Sequence, residues 1–372
     1  MDFTFTPEQD EAAALAAKIL DAECTPDRLR DLDRSAAAED GPRFDRRLWA
    51  ALGEAGLVGL HLPSEYGGAG LGLIELARVL EEAGRRVAAV PLATHGAASA
   101  VLAEVGPDDL RASWLPGATD GTRLLAVALG EDHDAVPAPP TVRAEPVDGQ
   151  EQRWRLTGVK TQVRAGTLAD AFLVTASTTE GPGLFLVTPG EGVEIVSQRL
   201  IDGDLAGRLV LQDAPARRVG GAEAVERLAQ VASACTAAEQ LGVIEGALAE
   251  TADYARTREQ FARPIGSFQA VSQRLADGYI DTLCLRLAAW QAVWRLSEHL
   301  PAAVEVATAQ LWAADAGHRL AHTAVHVHGG VGIDLDGVTH RFFTAAKRLE
   351  FAHGGATAQA LSIGRRMAAE RG

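Results

Sequence analysis

The chain has 372 residues, 47% of them hydrophobic and 23% charged, with a formal net charge of −15. That length exceeds one ordinary core and suggests two to three domains at roughly 150 residues each, while the acidic balance excludes nucleic acid or an anionic membrane as a bulk partner and leaves room only for a local basic pocket. The three cysteines, Cys24, Cys235 and Cys284, stand far apart without C-x-x-C spacing, which suits free thiols in a reducing cytoplasm. Residues 1–10 are acidic and lack the basic and apolar regions of a signal peptide, and no apolar run approaches the ~20 residues that span a bilayer, so a cytoplasmic location is expected.

Residues 1–118 read as helical. Thr6 followed by Pro7, Glu8 and Gln9 is a helix start, with threonine as N-cap and proline in first position, and residues 10–20 continue it with alanine-rich helical periodicity. A second helix over 45–55 runs into 56–70, too rich in glycine and proline to be helix. Helices follow over 72–84, with Leu73, Leu76, Val79 and Leu80 on one face, then over 93–105 and 107–114. The pattern changes near Pro116. Short β-rich runs over 124–129, 152–163, 171–176, 183–187, 193–198 and 208–212 predict a small all-β domain. From residue 222 the chain is helical again, over 222–258, over 269–300 with Leu283, Leu287, Trp290 and Trp294 at helical spacing, from Pro301 to His328, and over 336–371. These segments suffice for a four-helix bundle. Blocks of helices, strands and helices predict an α+β multidomain fold: an N-terminal α domain over 1–118, a middle antiparallel β domain over 119–221 and a C-terminal four-helix bundle over 222–372.

Two polar, glycine-containing breaks interrupt the C-terminal helices, at 256–266 and 326–337. Each places backbone N–H groups and a cation where a phosphate could sit. Gly68, Gly70 and Gly72 lack the spacing and the preceding strand of a Rossmann loop, and no G-x-x-x-x-G-K-[S/T] exists. His318, His322 and His326 share one helix face at i, i+4 and i+8, but no H-E-x-x-H and no third carboxylate accompanies them; a packed or polar face is expected and no metal.

Pro63-Ser64-Glu65-Tyr66-Gly67-Gly68-Ala69-Gly70, Leu156-Thr157-Gly158-Val159-Lys160 followed by Ala169-Asp170, Arg258-Glu259-Gln260-Phe261 with Pro264-Ile265-Gly266, Gln269 and Gln273, and His328-Gly329-Gly330-Val331-Gly332 resemble the acyl-CoA dehydrogenase family, in order and over nearly the whole chain. The resemblance implies the α, β, bundle order read above, FAD, an acyl-CoA thioester and a dimer of dimers. It also implies the chemistry: a carboxylate removes the proton alpha to the thioester carbonyl while hydride leaves the beta carbon for the flavin. The isoalloxazine lies on the subunit's own middle domain. Pyrophosphate and adenosine are held partly by a neighbouring subunit, to which Arg258, Phe261, His326, Gly329 and Gly330 correspond here.

The chain departs from the family in an ordered way. The usual glutamate base falls at His353, within Ala352-His353-Gly354-Gly355, and the alternative base position, on the first bundle helix, falls at Ala232 beside Ser233. Neither is a carboxylate. Of the motif that covers the flavin only Glu131 is kept, and Gln162-Val163-Arg164 replaces Trp-Ile-Thr. The residues offered to a neighbour's flavin survive, with His326 in place of glutamine and Ala262 in place of the glycine after Phe261. This pattern resembles the base-lacking partner subunits of heteromeric acyl-CoA dehydrogenases in bacterial sterol catabolism. It implies a subunit that takes part in FAD-dependent α,β-dehydrogenation by lending FAD contacts to a homologous catalytic partner. Two alternatives stand beside this reading: a self-sufficient homo-oligomer using His353 or water, and a flavin-free assembly or regulatory paralogue. A simpler role for Arg258 is a helix C-terminal cation worth ~0.3 to 1 kcal/mol. Glu239 and Glu350 read as solvated or interhelical charges and Gly67-Gly68 as a turn.

Overall fold

The computed structural model describes residues 4–147 and 150–369. Residues 370–371 of the expected last helix, and 1–3 of the acidic opening, lie outside the described residues. α1 (Pro7–Glu23) opens with a capping box, in which the Gln9 N–H donates to Thr6 Oγ1 and the Thr6 N–H donates to the Gln9 side chain at 3.0 Å. α2 (Pro26–Ala38) is a helix outside the expected elements: its apolar stripe is short, Leu29, Leu32 and Ala36, and set among three arginines and three aspartates. Thr25-Pro26 marks its start, and Thr25 Oγ1 accepts from the Arg28 N–H at 3.4 Å. α3 (Arg46–Glu54) is capped by the Asp45 carboxylate. Within the loop that follows, Gly67 is left-handed with φ 90°, and a Cβ on Gly68 would collide with the Leu62 carbonyl. α4 (Leu73–Arg85), α5 (Leu92–Val105) and α6 (Asp108–Thr119) complete the first helical block.

Seven strands come next: β1 (Leu125–Ala128), β2 (Arg143–Val147), β3 (Gln150–Arg164), β4 (Ala171–Thr178), β5 (Gly181–Val187), β6 (Val193–Arg199) and β7 (Leu205–Gly220). The second helical block comprises α7 (Ala222–Thr257), the small strands β8 (Glu259–Gln260) and β9 (Arg263–Pro264), α8 (Gln269–Ser297), α9 (Ala303–His328), a 3-10 turn over Gly329–Ile333, α10 (Thr339–Phe351) and α11 (Gly355–Ala369). Among the described residues no helix is long and apolar enough to cross a membrane.

The chain packs as two compact units. One comprises Ser35–Leu76 and Ala89–Cys235 and contains the sheet, ordered β1-β4-β2-β3-β7-β5, with β6 on β7 and β4 also paired to β5. The expected antiparallel pairing holds for most of it, but β1 runs parallel to β4 from Leu125↔Ala171 to Ala128↔Val174, and β2 meets β4 in parallel at Arg143↔Ser177. β1 and β4 are separated by the whole β2–β3 excursion, so no hairpin dictates their direction. Inside this unit Lys160 is fully buried, and its ammonium donates to Glu131 Oε1 at 2.6 Å, Thr175 Oγ1 at 2.9 Å and the Leu129 carbonyl at 3.1 Å. Three donors meet three acceptors. Burial pulls Lys160 down to about 8 against the opposing pull of Glu131. Burial also acts to raise the Glu131 carboxyl, but hydrogen bonds from Lys160 and Thr141 outweigh it and hold the group below its usual value.

The same unit buries two histidines as structural groups. His95 Nε2 donates to the Ala118 carbonyl at 2.9 Å, leaving Nδ1 to accept from the Leu125 N–H at 3.2 Å. Those bonds fix its neutral tautomer. Burial lowers His95 to about 4 and His61, which faces Ser99 Oγ at 2.9 Å, to about 3.

The other unit comprises the residues up to Arg34, Ala77–Ala88 and the chain from Thr236 onward. The backbones of α4 and α7 touch here, since a Cβ on Gly84 would collide with the Glu239 carbonyl and one on Gly242 with that of Glu81. Buried Gln240 donates to the carbonyls of Ala313 at 3.1 Å and Ala346 at 3.2 Å, tying α7 to α9 and α10. Beside the glycine crossing, Arg85 is bound by Glu81, Glu82 and Glu245 together, and Arg286 by Glu245. Burial and the neighbouring Glu245 charge raise Glu81, only 2% exposed, to about 7.

Candidate functional site

The two glycine-containing breaks come together at one end of the bundle. Tyr254, in the last turn of α7, stacks on His328, the last residue of α9, with ring centroids 4.2 Å apart and planes 24° from parallel. Four residues beyond Tyr254, the Arg258 N–H donates to the Tyr254 carbonyl at 2.8 Å, and the Arg258 carbonyl accepts from the Ile265 N–H at 2.8 Å. These bonds close the β8–β9 hairpin, whose two central residues, Phe261 and Ala262, have φ of 53° and 62°. Two consecutive positive φ values are the signature of a type I′ turn, in which glycine or asparagine is usual. The hairpin therefore carries local strain and projects the Phe261 ring into solvent, 89% exposed. Arg263 lies over the Phe268 ring at 4.0 Å and steadies its base.

On the α9 side, Gly329 ends the helix with φ 65° and ψ −140°, and an ideal Cβ on Gly329 or Gly330 would meet nothing within 4 Å. Both glycines are exposed, as are Arg258 and His326. Among the described residues, none hydrogen-bonds to or pairs with the Arg258 guanidinium. His328 Nδ1 donates to the Ala324 carbonyl at 2.8 Å, which leaves Nε2 as an acceptor, buried and without a partner among the described residues. An uncommitted cation, open glycine backbone and an acceptor nitrogen fit the pyrophosphate and adenosine half of a dinucleotide. The chemistry of the donor set thus suits the cofactor that the sequence resemblance implies.

His326 shares its helix face with His318 and His322, whose rings lie 4.6 Å apart. His318 is engaged by Glu350 at 3.2 Å and Lys347 at 3.1 Å, and among the described residues no group of three or more His, Cys, Asp or Glu could hold a metal ion.

His353 stands elsewhere. It lies between α10 and α11, where its Nε2 faces Thr236 Oγ1 at 3.0 Å and its carbonyl accepts from the Gln359 amide at 2.6 Å. Thr236 lies in α7 and Arg258 directly follows its last residue, 22 positions on in the sequence, so His353 and the hairpin are separated by roughly 33 Å along the α7 axis at ~1.5 Å per residue. Ala232 and Ser233 are buried on α7. Glu239 of α7 pairs with Arg348 of α10 at 3.3 Å, while Glu350 pairs with Lys347 of its own helix at 2.6 Å and meets His318 of α9 at 3.2 Å. Glu131 is committed to Lys160 inside the sheet unit.

Sequence reasoning did not find the Tyr254–His328 stack. Each residue belongs to a different helix, and although His328 opens the quoted Gly-Gly motif, nothing in the sequence pairs it with Tyr254. Nor did it find the Glu131–Lys160 contact, although both residues stand in quoted motifs.

A helical block, a sheet and a helical bundle, with an exposed Arg-x-x-Phe hairpin beside a Gly-Gly turn, are the elements that the resemblance to acyl-CoA dehydrogenases leads one to expect. Residues 6–122 match the family model for the acyl-CoA dehydrogenase N-terminal domain and residues 220–368 the model for its C-terminal domain. The chain belongs to the acyl-CoA dehydrogenase family. It is 46% identical over 381 residues to the acyl-CoA dehydrogenase FadE27 of Mycobacterium tuberculosis, with 99% of each chain covered. Among solved structures it is similar to a chain of the ChsE4-ChsE5 complex from Mycobacterium tuberculosis (47% identity, 99% of each chain, TM-score 0.93) and to a chain of a Tcur3481-Tcur3483 steroid acyl-CoA dehydrogenase variant (40% identity, 98% of each chain, TM-score 0.92).

Proposed function

We propose that this chain is the subunit of a heteromeric acyl-CoA dehydrogenase that lends FAD contacts to a homologous catalytic partner. The observation that carries the reading is the separation along α7: the position of the usual base holds His353 bonded to Thr236, while the exposed Arg258 hairpin and Gly329–Gly330 lie at the far end of the helix. The likeness to chains of two-component complexes supports the same reading.

In this reading Arg258 neutralises pyrophosphate charge, the open backbone at Gly329 and Gly330 admits close approach of the phosphates, and Phe261 packs against the cofactor or the partner surface. His326 offers a side-chain hydrogen bond where the family has glutamine. When bound, FAD supplies the hydride acceptor for α,β-dehydrogenation of an acyl-CoA thioester. The proton alpha to the carbonyl is taken by the partner subunit's carboxylate. Similarity to a steroid acyl-CoA dehydrogenase supports a steroid-type CoA thioester as substrate.

The test is purification of this chain alone and with a homologous acyl-CoA dehydrogenase subunit of the same organism. Flavin absorbance and dehydrogenase activity are expected in the co-purified complex and little of either in the chain alone. Full flavin occupancy and turnover by the chain alone would reject the reading.

A further inference from the structure

The arm from Gly329 to Asp336 buries only Gly332, so little apolar packing holds it in place. Ionic contacts from α2 take over that task. Arg341, at the start of α10 and 3% exposed, donates from Nε to Asp33 Oδ2 at 2.6 Å, from Nη1 to the Gly337 carbonyl at 2.6 Å and from Nη2 to the Leu335 carbonyl at 3.5 Å. Arg30 donates to the Asp336 carbonyl at 3.2 Å, and Arg34 donates to the Asp336 carboxylate at 2.9 Å. One guanidinium thus grips both α2 and the backbone of the arm, while two more from α2 grip the tip. The Asp336 pairs are exposed and individually weak. Arg341 is the stronger element, because a buried guanidinium deprived of its anion leaves an uncompensated charge.

We propose that Asp33 and Arg341, with Arg30 and Arg34, form a latch by which α2 positions the 329–337 arm for its cofactor contact. This inference rests on the reading of 326–330 as a contact to FAD. Asp33 and Arg341 are positioning residues: they act through the arm. The latch also gives the charged face of α2 a specific task.

The experiment uses the full chain and its co-purified complex. Hydrogen–deuterium exchange of peptides covering 329–338 is measured for the native chain, Asp33→Asn and Asp33→Glu, together with FAD release from each complex after dilution. With Asp33→Asn, exchange of the arm is expected to accelerate about tenfold and FAD release about fivefold, with Asp33→Glu restoring both. Turnover at saturating FAD is expected to be unchanged. If Asp33→Asn fails to fold, the exposed pair Arg30→Gln with Arg34→Gln loosens the tip instead, with the same two readouts. Unchanged exchange in the arm overturns the latch. So does faster exchange with unchanged FAD release in a complex whose release does respond to Gly330→Val. A complex in which Gly330→Val itself leaves FAD release untouched overturns the reading of the arm, and the cofactor role of the latch with it.

Discussion

The Tyr254 ring lies over the His328 ring at 4.2 Å, and this one contact joins the C-terminus of α7 to that of α9. Through it, a hairpin bearing Arg258 and a turn bearing Gly329 and Gly330 share one end of the bundle. An aromatic pair of this kind contributes about 0.5–1.5 kcal/mol beyond the area it buries. Tyr254→Leu is therefore expected to lower stability by about 1 kcal/mol and to weaken flavin retention by the complex, read as a lower denaturant midpoint and faster loss of FAD on gel filtration. An unchanged flavin content would mean that the stack does not align the two segments.

Ala262 stands at φ 62°, where an L-residue is strained and glycine is not. Ala262→Gly is expected to stabilise the chain by about 0.5–1 kcal/mol, in spite of the extra freedom glycine gives the unfolded state. Urea midpoints of the two proteins, compared at equal slope, check it.

Glu81 supplies a pH dependence whose sign follows from its raised value. Between the ordinary carboxylate value of 4.5 and about 7 the folded state holds a proton that the unfolded state has released. Stability from this group accordingly falls as pH rises through that window. Glu81→Gln is expected to flatten the profile between pH 5 and 8 and to raise stability at pH 8. Chemical denaturation at both pH values measures the difference, and a steeper profile in the variant would contradict the assignment.

His353 faces Thr236 Oγ1 at 3.0 Å, and the proposed function leaves proton removal to the partner subunit. His353→Ala in the assembled complex is expected to leave kcat within about twofold and the pH profile unmoved, since loss of a working general base removes about a hundredfold or more. A hundredfold fall would return the base to this chain and favour the self-sufficient enzyme.

The legible parts of the fold are those whose signal is local. Alanine-rich periodicity delimits α7, predicted over 222–258 and found over Ala222–Thr257, and Thr6 with Gln9 announces the first helix. α2 escaped because three arginines and three aspartates dilute its short apolar stripe, and β2 because Pro146 and two charges interrupt its five residues. The parallel β1–β4 pairing is a long-range relation that no window of sequence contains. At the site the same division holds. Arg258, Phe261 and the Gly-Gly pair are readable as short motifs, whereas the Asp33–Arg341 bond joins residues 308 positions apart.

The glycine crossing of α4 on α7 has a consequence for how the arm is placed. With Gly84 and Gly242 bringing backbone against backbone, α7 has no side-chain cushion at that point to absorb a rotation. From Gly242 to Tyr254 the helix then works as a ruler. Insertion of a single residue between them would turn everything beyond it by about 100° and advance it about 1.5 Å, swinging Tyr254 off His328 and the Arg258 hairpin away from the glycines. Length and phase of that interval, more than the identity of the residues filling it, set where the chain presents its cation.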